Sequence, residues 1–372
     1  MEYTKIKEIN SYVSKSVNPA QMPDVVFEMY SVPTFETGHP EYLYGREIAS
    51  SKIVVKKNDI LLCKINPRIN RVWIVLDESD NPNIASSEWI VIRTDEYNPE
   101  FLAWYFRTPQ FQQRMMSEVT GIGGSLTRAQ PKRVAEYPVP VLDRQKQDRI
   151  ATVLNKIANI ISLRKQELKA YDELIKSRFI EMFGDPEQNP NGYPIKDFDE
   201  ISVLVTDGEH ATPHRTEKGI YLLSARNILN HALQLDDVDY IDEDEYARIA
   251  QRVVPQAGDV LISCSGSIGR CCVVPDGLQF QMVRSVALIR FDNTINPIFA
   301  EWLITSDELQ RQIALSATQS SQANLFQGKI RKLHGYVPPM EFQQEFVAFV
   351  EQTNKSKLLY RFWGNSLSQK VK

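Results

Sequence analysis

The chain repeats itself. Asn58-Asp59-Ile60-Leu61 returns as Gly258-Asp259-Val260-Leu261, and Asn98-Pro99-Glu100-Phe101 returns as Asn296-Pro297-Ile298-Phe299. A Trp follows each time, Trp104 and Trp302. Val139-Pro140-Val141-Leu142 returns as Val337-Pro338-Pro339-Met340, then Gln147, Ile150 and Leu154 return as Gln343, Phe346 and Val350. The order holds while the offset drifts only from 200 to 196, so one module stands twice in the sequence. Such a period is far too long for a solenoid or propeller. Each half of the 372 residues is long enough to bury its own core. Two copies in one chain can build a body with a pseudo-twofold axis, which suits a partner that offers two related sites.

Composition narrows the function classes. The chain is 42% hydrophobic and 24% charged, as a globular protein is, with a net charge of −4. Up to Gly184 there are 25 Lys and Arg against 23 Asp and Glu; the remainder has 18 against 24. No basic excess announces a nucleic-acid binder, so any DNA-facing surface must gather positive charge locally or share the task with partner subunits. Met1-Glu2-Tyr3-Thr4-Lys5 lacks the apolar stretch of a secretory signal, and no run approaches the roughly 18 apolar residues that span a bilayer. No membrane is therefore expected. Cys63, Cys264, Cys271 and Cys272 lack metal-ligand spacing and read as buried free thiols in a reducing cytoplasm.

Each half reads as mixed α/β. Residues 53–55, 59–63, 72–75 and 89–92 are short β-type runs, and 259–262, 271–274 and 286–289 repeat them. Asn98 with Pro99 predicts a helix start, with the helix running over 101–119, and 299–314 predicts its counterpart. Between Asp143 and Phe183 there is no Gly and no Pro. Ile150, Leu154, Ile157, Ile161, Leu168, Tyr171, Ile175 and Met182 recur on alternating four-three spacing, interrupted only by Arg164 and Arg178. That heptad row predicts one long helix lying against another, about 60 Å long at ~1.5 Å per residue, closed by Gly184 and Pro186. Arg164 and Arg178 are expected to form salt bridges across the pair, with contact to a partner subunit as the other reading. Residues 341–372 predict a second long helix with a weaker seam: Phe346, Val350, Tyr360, Leu367 and Val371 fit it, whereas Thr353, Lys357 and Gly364 do not. If the copies obey a pseudo-twofold axis, the two long helices pack antiparallel.

This order resembles the DNA-specificity subunit of Type I restriction–modification enzymes. Met182-Phe183-Gly184-Asp185-Pro186 looks like that family's exit from its central helix, and Pro140 followed by Gln147, Ile150 and Leu154 like the entry. The stretches 207–213, 222–228 and 258–270 look like successive parts of one recognition-domain type. The first copy departs from it: Lys64-Ile65-Asn66-Pro67-Arg68-Ile69-Asn70-Arg71 stands where the second has a Ser/Gly loop. The resemblance implies an α/β (α+β) fold with target-recognition domains at 1–142 and 185–340 and conserved long helices at 143–184 and 341–372. It implies a prokaryotic, cytoplasmic, non-catalytic subunit that reads a bipartite double-stranded DNA target. Two modification (methyltransferase) subunits would bind to it and carry S-adenosylmethionine, and two restriction (translocase/endonuclease) subunits can be added. No cofactor is expected in this chain. The alternative reading is a protein-interaction scaffold, a degenerate relative that no longer reads DNA.

Lys64, Asn66, Arg68, Asn70 and Arg71 suit direct readout, since Arg can grip guanine and Asn adenine; a solvated basic loop is the plain reading. His210, Thr212, His214 and Arg215, then Ser224, Arg226 and Asn227, invite the same expectation. Ser265, Ser267 and Arg270 flank Gly266 and Gly269 in a loop that lacks the residues of a nucleotide-binding fingerprint. Small residues there permit close approach to a DNA backbone or base edge, and a plain turn is the alternative. Thr127, Arg128, Gln130 and Ser125, with Gln319, Ser320, Gln322 and Asn324, are polar positions before each exit strand that equally suit simple surface. His210 and His214 are separated by Pro213 and no further ligands are evident, so no metal is expected. No methyltransferase tetrapeptide, nucleophile elbow or His-Glu-x-x-His string occurs, so no catalytic residue is assigned.

Overall fold

The computed structural model describes residues 2–117, 119–120, 127–317 and 324–368, with side chains followed as far as 357. Contacts divide the chain into two units, Met1–Leu163 and Arg164–Lys372, and the division falls inside the long middle helix.

In the first unit the apolar run Ile60–Cys63 is the central strand of an antiparallel sheet, between Val72–Ile74 and Trp89–Ile92. Its residues are all buried because both faces are covered. Ile60 and Leu62 pack with Phe101, Leu102 and Phe106 of the helix Pro99–Phe106, while Leu61 and Cys63 pack under Tyr30, Trp73 and Trp89. A second sheet has the order Ser16–Val17, Lys52–Val54, Asn83–Ala85, Val26–Tyr30, Glu41–Tyr44, with Val26–Tyr30 and Asn83–Ala85 parallel. The strand Tyr3–Lys5 pairs with Pro138–Pro140 and ties the start of the unit to its exit.

The second unit follows the same path. Val260–Ser263 lies between Cys271–Val273 and Val286–Phe291, and Ser202–Asp207 extends that sheet by one strand. Ile220–Leu223 and Phe280–Met282 form the parallel pair, with Asp239–Ile241 antiparallel beside Ile220–Leu223. Ile195–Asp197 pairs with His334–Tyr336 as the entry–exit couple. A helix at Glu243–Ala250, capped by the Asp242 carboxylate on Glu245 N, is an addition of this copy.

Asn98 caps the helix Pro99–Phe106 by accepting from Glu100 N and Phe101 N, and Asn296 caps Pro297–Ile304 through Ile298 N. The single helices expected at 101–119 and 299–314 are each broken in two. The second pieces are Pro109–Ser117 and Asp307–Ser316. Pro109 disfavours helical backbone at Thr108 and offers no N–H. In the second copy Ser306 turns extended and its hydroxyl accepts from Leu309 N, starting a new helix.

The middle helix runs Arg144–Phe183 and the terminal helix Met340–Ser368. Gly184 ends the former at φ +78, with its N–H on Ile180 O at 2.8 Å. A Cβ there would lie 2.2 Å from Pro190 Cγ, so glycine is required.

Each module grips the helix that follows it by the same device. In the first unit Gln147 Oε1 accepts from Asn98 N (2.8 Å) and Gln147 Nε2 donates to Leu142 O (2.8 Å). In the second, Gln343 Oε1 accepts from Asn296 N (2.8 Å) and Gln343 Nε2 donates to Pro338 O (2.8 Å). Both side chains are buried, so the paired groups are shielded from water.

Candidate nucleic-acid interface

The candidate loops of both copies hang on a shared main-chain frame. In the first unit Lys64 N donates to Glu88 O (3.0 Å), Ala129 N to Lys64 O (2.8 Å) and Cys63 N to Arg71 O (3.1 Å). In the second, Cys264 N donates to Ser285 O (2.8 Å), Leu325 N to Cys264 O (2.9 Å) and Ser263 N to Arg270 O (2.8 Å). The bridges Ile65–Arg128 and Ser265–Asn324 match as well. Asn66 and Gly266 both take left-handed backbone, at φ +50 and +69. Asn tolerates that region better than other side chains, which explains how the Lys/Asn/Arg loop and the Ser/Gly loop share one turn.

Within the first loop the side chains differ in availability. Arg68 is exposed, and its carbonyl is held by Gln112 Nε2 at 2.6 Å. Lys64 Nζ donates to Ser87 O at 2.6 Å, and Asn70 Nδ2 to Phe106 O at 3.3 Å. Arg71 lies mostly covered, with Nε 4.0 Å from Glu36 Oε1. Asn66 Oδ1 is buried with no hydrogen-bond partner among the described residues.

In the second unit the candidate segments converge on residues 282–286. Glu209 N donates to Met282 O, Val283 N to Leu223 O, Ala225 N to Ser285 Oγ and Cys264 N to Ser285 O. His210 Nε2 meets Asp207 Oδ2 at 2.9 Å, and the other Asp207 oxygen accepts from Arg252 and Gln327. Thr212 is exposed; His214 is exposed too, with Nδ1 4.0 Å from Asp242 Oδ2. Arg215 Nε donates to Asp239 Oδ2 (2.9 Å), and Arg226 Nη2 donates to Asp239 Oδ1 (2.8 Å).

Asn227 is fully buried. Its Oδ1 accepts from Ser224 N and Ser224 Oγ, while its Nδ2 donates to Gln234 O and Asp237 O. Asn227 therefore props the turn that displays Arg226, and a base contact from it would require this network to open. Ser267 is exposed, Ser265 and Arg270 are half-buried, and Ser263 Oγ spans the loop to Ser267 O at 2.6 Å. Ser125, Gln319, Ser320 and Gln322 lie outside the described residues.

Asp207 and Asp239 are the organising groups that sequence reading passed over. Glu41 holds the register position in the first copy that Asp239 holds in the second, opposite Met29 as Asp239 is opposite Leu222, but no shared string around them marks the match in the sequence. The Asp239 carboxyl is held below the usual carboxylate range: burial opposes this, and the Arg215 and Arg226 guanidinia prevail. Among the described residues no three His, Cys, Asp or Glu side chains gather as a metal site would require. All four cysteines are free and buried, as expected. No described helix is long and apolar enough to cross a membrane.

The helix seam is divided in the same way. In the first unit Ala151 is buried, Ile150 and Ile161 are exposed at 38% and 50%, and Leu154 and Ile157 are half-buried. In the second, Ile175, Phe179 and Phe183 share a core with Phe346 and Val350; Met182 packs against it, and Leu168 and Tyr171 are half-buried. Phe179 and Phe183 were not assigned to the row, yet their rings stand 5.4 and 5.6 Å from that of Phe346. Arg178 bonds Glu345 at 2.9 Å and Lys357 pairs with Asp172. Numbers rise along one helix as they fall along the other, so these stretches run antiparallel. Arg164 pairs with Glu167 of its own helix. The side chains of Tyr360 and Leu367 lie outside the described residues.

No protein-family model and no curated protein matches the chain. Solved structures do: the fold is that of the S subunit of a Type I restriction–modification system. The S subunit from M. genitalium aligns with TM-score 0.58 at 12% identity, over 99% of this chain and 92% of that one. A chain from a structure of complex assembly and conformational transition in a type I R-M system aligns with TM-score 0.54 at 17% identity, over 100% and 94%. The HsdS subunit from Thermoanaerobacter tengcongensis aligns with TM-score 0.39 at 17% identity, over 96% and 90%. At these identities the likeness is one of fold.

Proposed function

We propose that this chain is the non-catalytic DNA-recognition subunit of a Type I restriction–modification complex in the cytoplasm. Each module reads one half of a split duplex target. The two long helices, along the seam from Ile150 to Met182 and from Phe346 to Leu367, set the spacing between the halves and give two modification subunits a docking site. S-adenosylmethionine belongs to those subunits, and two restriction subunits can join the assembly. The observation that carries this reading is the fold likeness to a specificity subunit over nearly the entire chain. The repeated frame supports it: a conserved main-chain scaffold presents unlike side chains, as two unlike half-sites require. A stiff rod between two readers converts rod length into half-site spacing, one duplex turn being about 34–36 Å.

The test assembles the chain with its host's modification subunits, measures duplex binding against salt, and sequences methylated adenines in the host. A two-part methylated motif and salt-dependent, sequence-selective binding are expected. Equal binding to all duplexes, or no association with a modification subunit, overturns the proposal.

The scaffold reading draws on one observation: Lys64, Arg71, Arg215 and Arg226 each face an acceptor in their own unit. Replacing Lys64, Arg68 and Arg71 together with Ala separates the two readings. Unchanged affinity and methylation in the assembled complex favour the scaffold.

A further inference from the structure

Asp239 stands between two guanidinia, one on each carboxylate oxygen. Arg215 is engaged through Nε, which leaves both its Nη groups without a hydrogen-bond partner among the described residues. Arg226 is engaged through Nη2, which leaves its Nε and Nη1 in the same condition. Their side chains are 45% and 48% exposed and that of Asp239 is 31% exposed, so the open donors border solvent.

The backbone under this triad is fixed. Asp239 lies in a strand paired with Leu222, and Thr216, next to Arg215, donates its N–H to Tyr240 O at 2.9 Å. Arg226 sits in the turn Ala225–Asn227, anchored by buried Asn227 and by Ala225 N on Ser285 Oγ at 3.0 Å. A guanidinium held on one edge by a carboxylate loses the rotamer freedom it would otherwise surrender on binding.

The surroundings tell against a simple phosphate grip. From 201 to 256 ten Asp and Glu stand against five Lys and Arg, and Asp237 lies 3.8 Å from Arg226 Nη2. Such a field weakens attraction to any duplex backbone, so binding here must come from donors that meet a specific pair of acceptors.

We propose that Asp239 is a specificity-determining positioning residue, which aligns Arg215 and Arg226 so that their open N–H groups meet guanine O6 and N7 in the major groove of the half-site read by the second copy. This rests on the DNA-reading function proposed above. The two Nη groups of Arg215 carry parallel N–H donors that match the guanine acceptor pair, and Arg226 adds single donors beside them, whereas a carboxylate alone would be repelled by phosphate.

The experiment uses the assembled complex with modification subunits and the target found by sequencing methylated adenines. Binding is compared among the cognate duplex, duplexes with one guanine replaced in either half-site, and an unrelated duplex, for the wild type, Asp239→Ala, Asp239→Glu and Arg226→Lys. For Asp239→Ala, discrimination is expected to fall about 10- to 100-fold at guanines of one half-site only, while affinity for the unrelated duplex rises as a negative charge is removed. Asp239→Glu restores part of the discrimination. Arg226→Lys, which keeps the charge and loses the fork, reproduces the loss, and combining it with Asp239→Ala adds little. If every affinity rises alike and the ratio holds, Asp239 merely repels phosphate and the proposal is overturned. An equal loss at both half-sites, accompanied by a lower melting temperature, assigns it a general structural role and overturns it too. A wild-type complex that binds every duplex alike is a different failure: it removes the DNA-reading function itself, and this proposal with it.

Discussion

Arg93 grips Asp59 through two hydrogen bonds, Nε to Oδ1 at 2.7 Å and Nη2 to Oδ2 at 2.6 Å. Arg290 grips Asp259 in the same way, at 2.7 Å for each bond. Both carboxylates are buried, and each also accepts a main-chain N–H three residues before it, from Lys56 and Gln256. The residues preceding them, Asn58 and Gly258, both have positive φ. One carboxylate thus clamps a tight turn to the neighbouring strand in each module.

Removing that clamp leaves a half-buried guanidinium without its counter-charge. Asp259→Ala is expected to lower stability by about 3 kcal/mol, read as a lower urea midpoint for the second unit. Asp59→Ala should cost a similar amount in the first. An unmoved midpoint would show that the pair contributes nothing net.

Gln343 is the latch between the second module and the terminal helix. Gln343→Ala strands Asn296 N, Thr294 O and Pro338 O in a buried place, at a cost of about 2 kcal/mol. Hydrogen exchange at Asn296 N should accelerate, and Gln343→Glu should be worse, because a carboxylate would face two carbonyls. Unchanged exchange would mean that other contacts hold the helix in place.

Burial pushes the Cys264 thiol up to about 12, and burial also raises those of Cys63, Cys271 and Cys272. The thiolate is the reactive form. The native protein should therefore resist iodoacetamide at pH 8 at these four positions and take it up on unfolding, as mass spectrometry would record. Fast labelling of the folded chain would contradict the packing described.

The Arg248 guanidinium, joined by the main-chain N–H of His214, holds the Glu245 carboxyl down to about 2 despite some burial. A carboxyl depressed in the folded state contributes stability above its unfolded pKa of about 4.3, and that contribution is lost as pH falls towards 2. The difference in melting temperature between wild type and Glu245→Gln should be full at pH 6 and shrink between pH 4.5 and 2.5. A constant difference would rule out this linkage.

The duplication, the long helices, their caps and the central strands were legible because each rests on a local pattern. The parallel pairing of Val26–Tyr30 with Asn83–Ala85 was not, since nothing in either run specifies a partner some fifty residues away. The Arg93 and Arg290 clamps could have been found: each Arg follows an Ile and precedes the Asn of the helix cap by five or six residues. Divergence hid the rest. Trp104 and Trp302 occupy equivalent places, yet the indole N–H of Trp104 donates to Asn155 while the ring of Trp302 stacks on His231 at 3.9 Å. Candidate contact residues were picked by type alone, and type does not say whether an Asn displays its amide, as an interface would need, or buries it, as Asn227 does.

The loops from Cys63 to Arg71 and from Ser263 to Arg270 share, at their roots, one set of peptide-to-peptide hydrogen bonds. Peptide groups survive every exchange of side chain except one to proline, so such a loop is an interchangeable cassette. New side chains can be written into it and old ones erased while its mounting stays put, and a lineage can alter what the surface touches without first re-inventing the body that carries it.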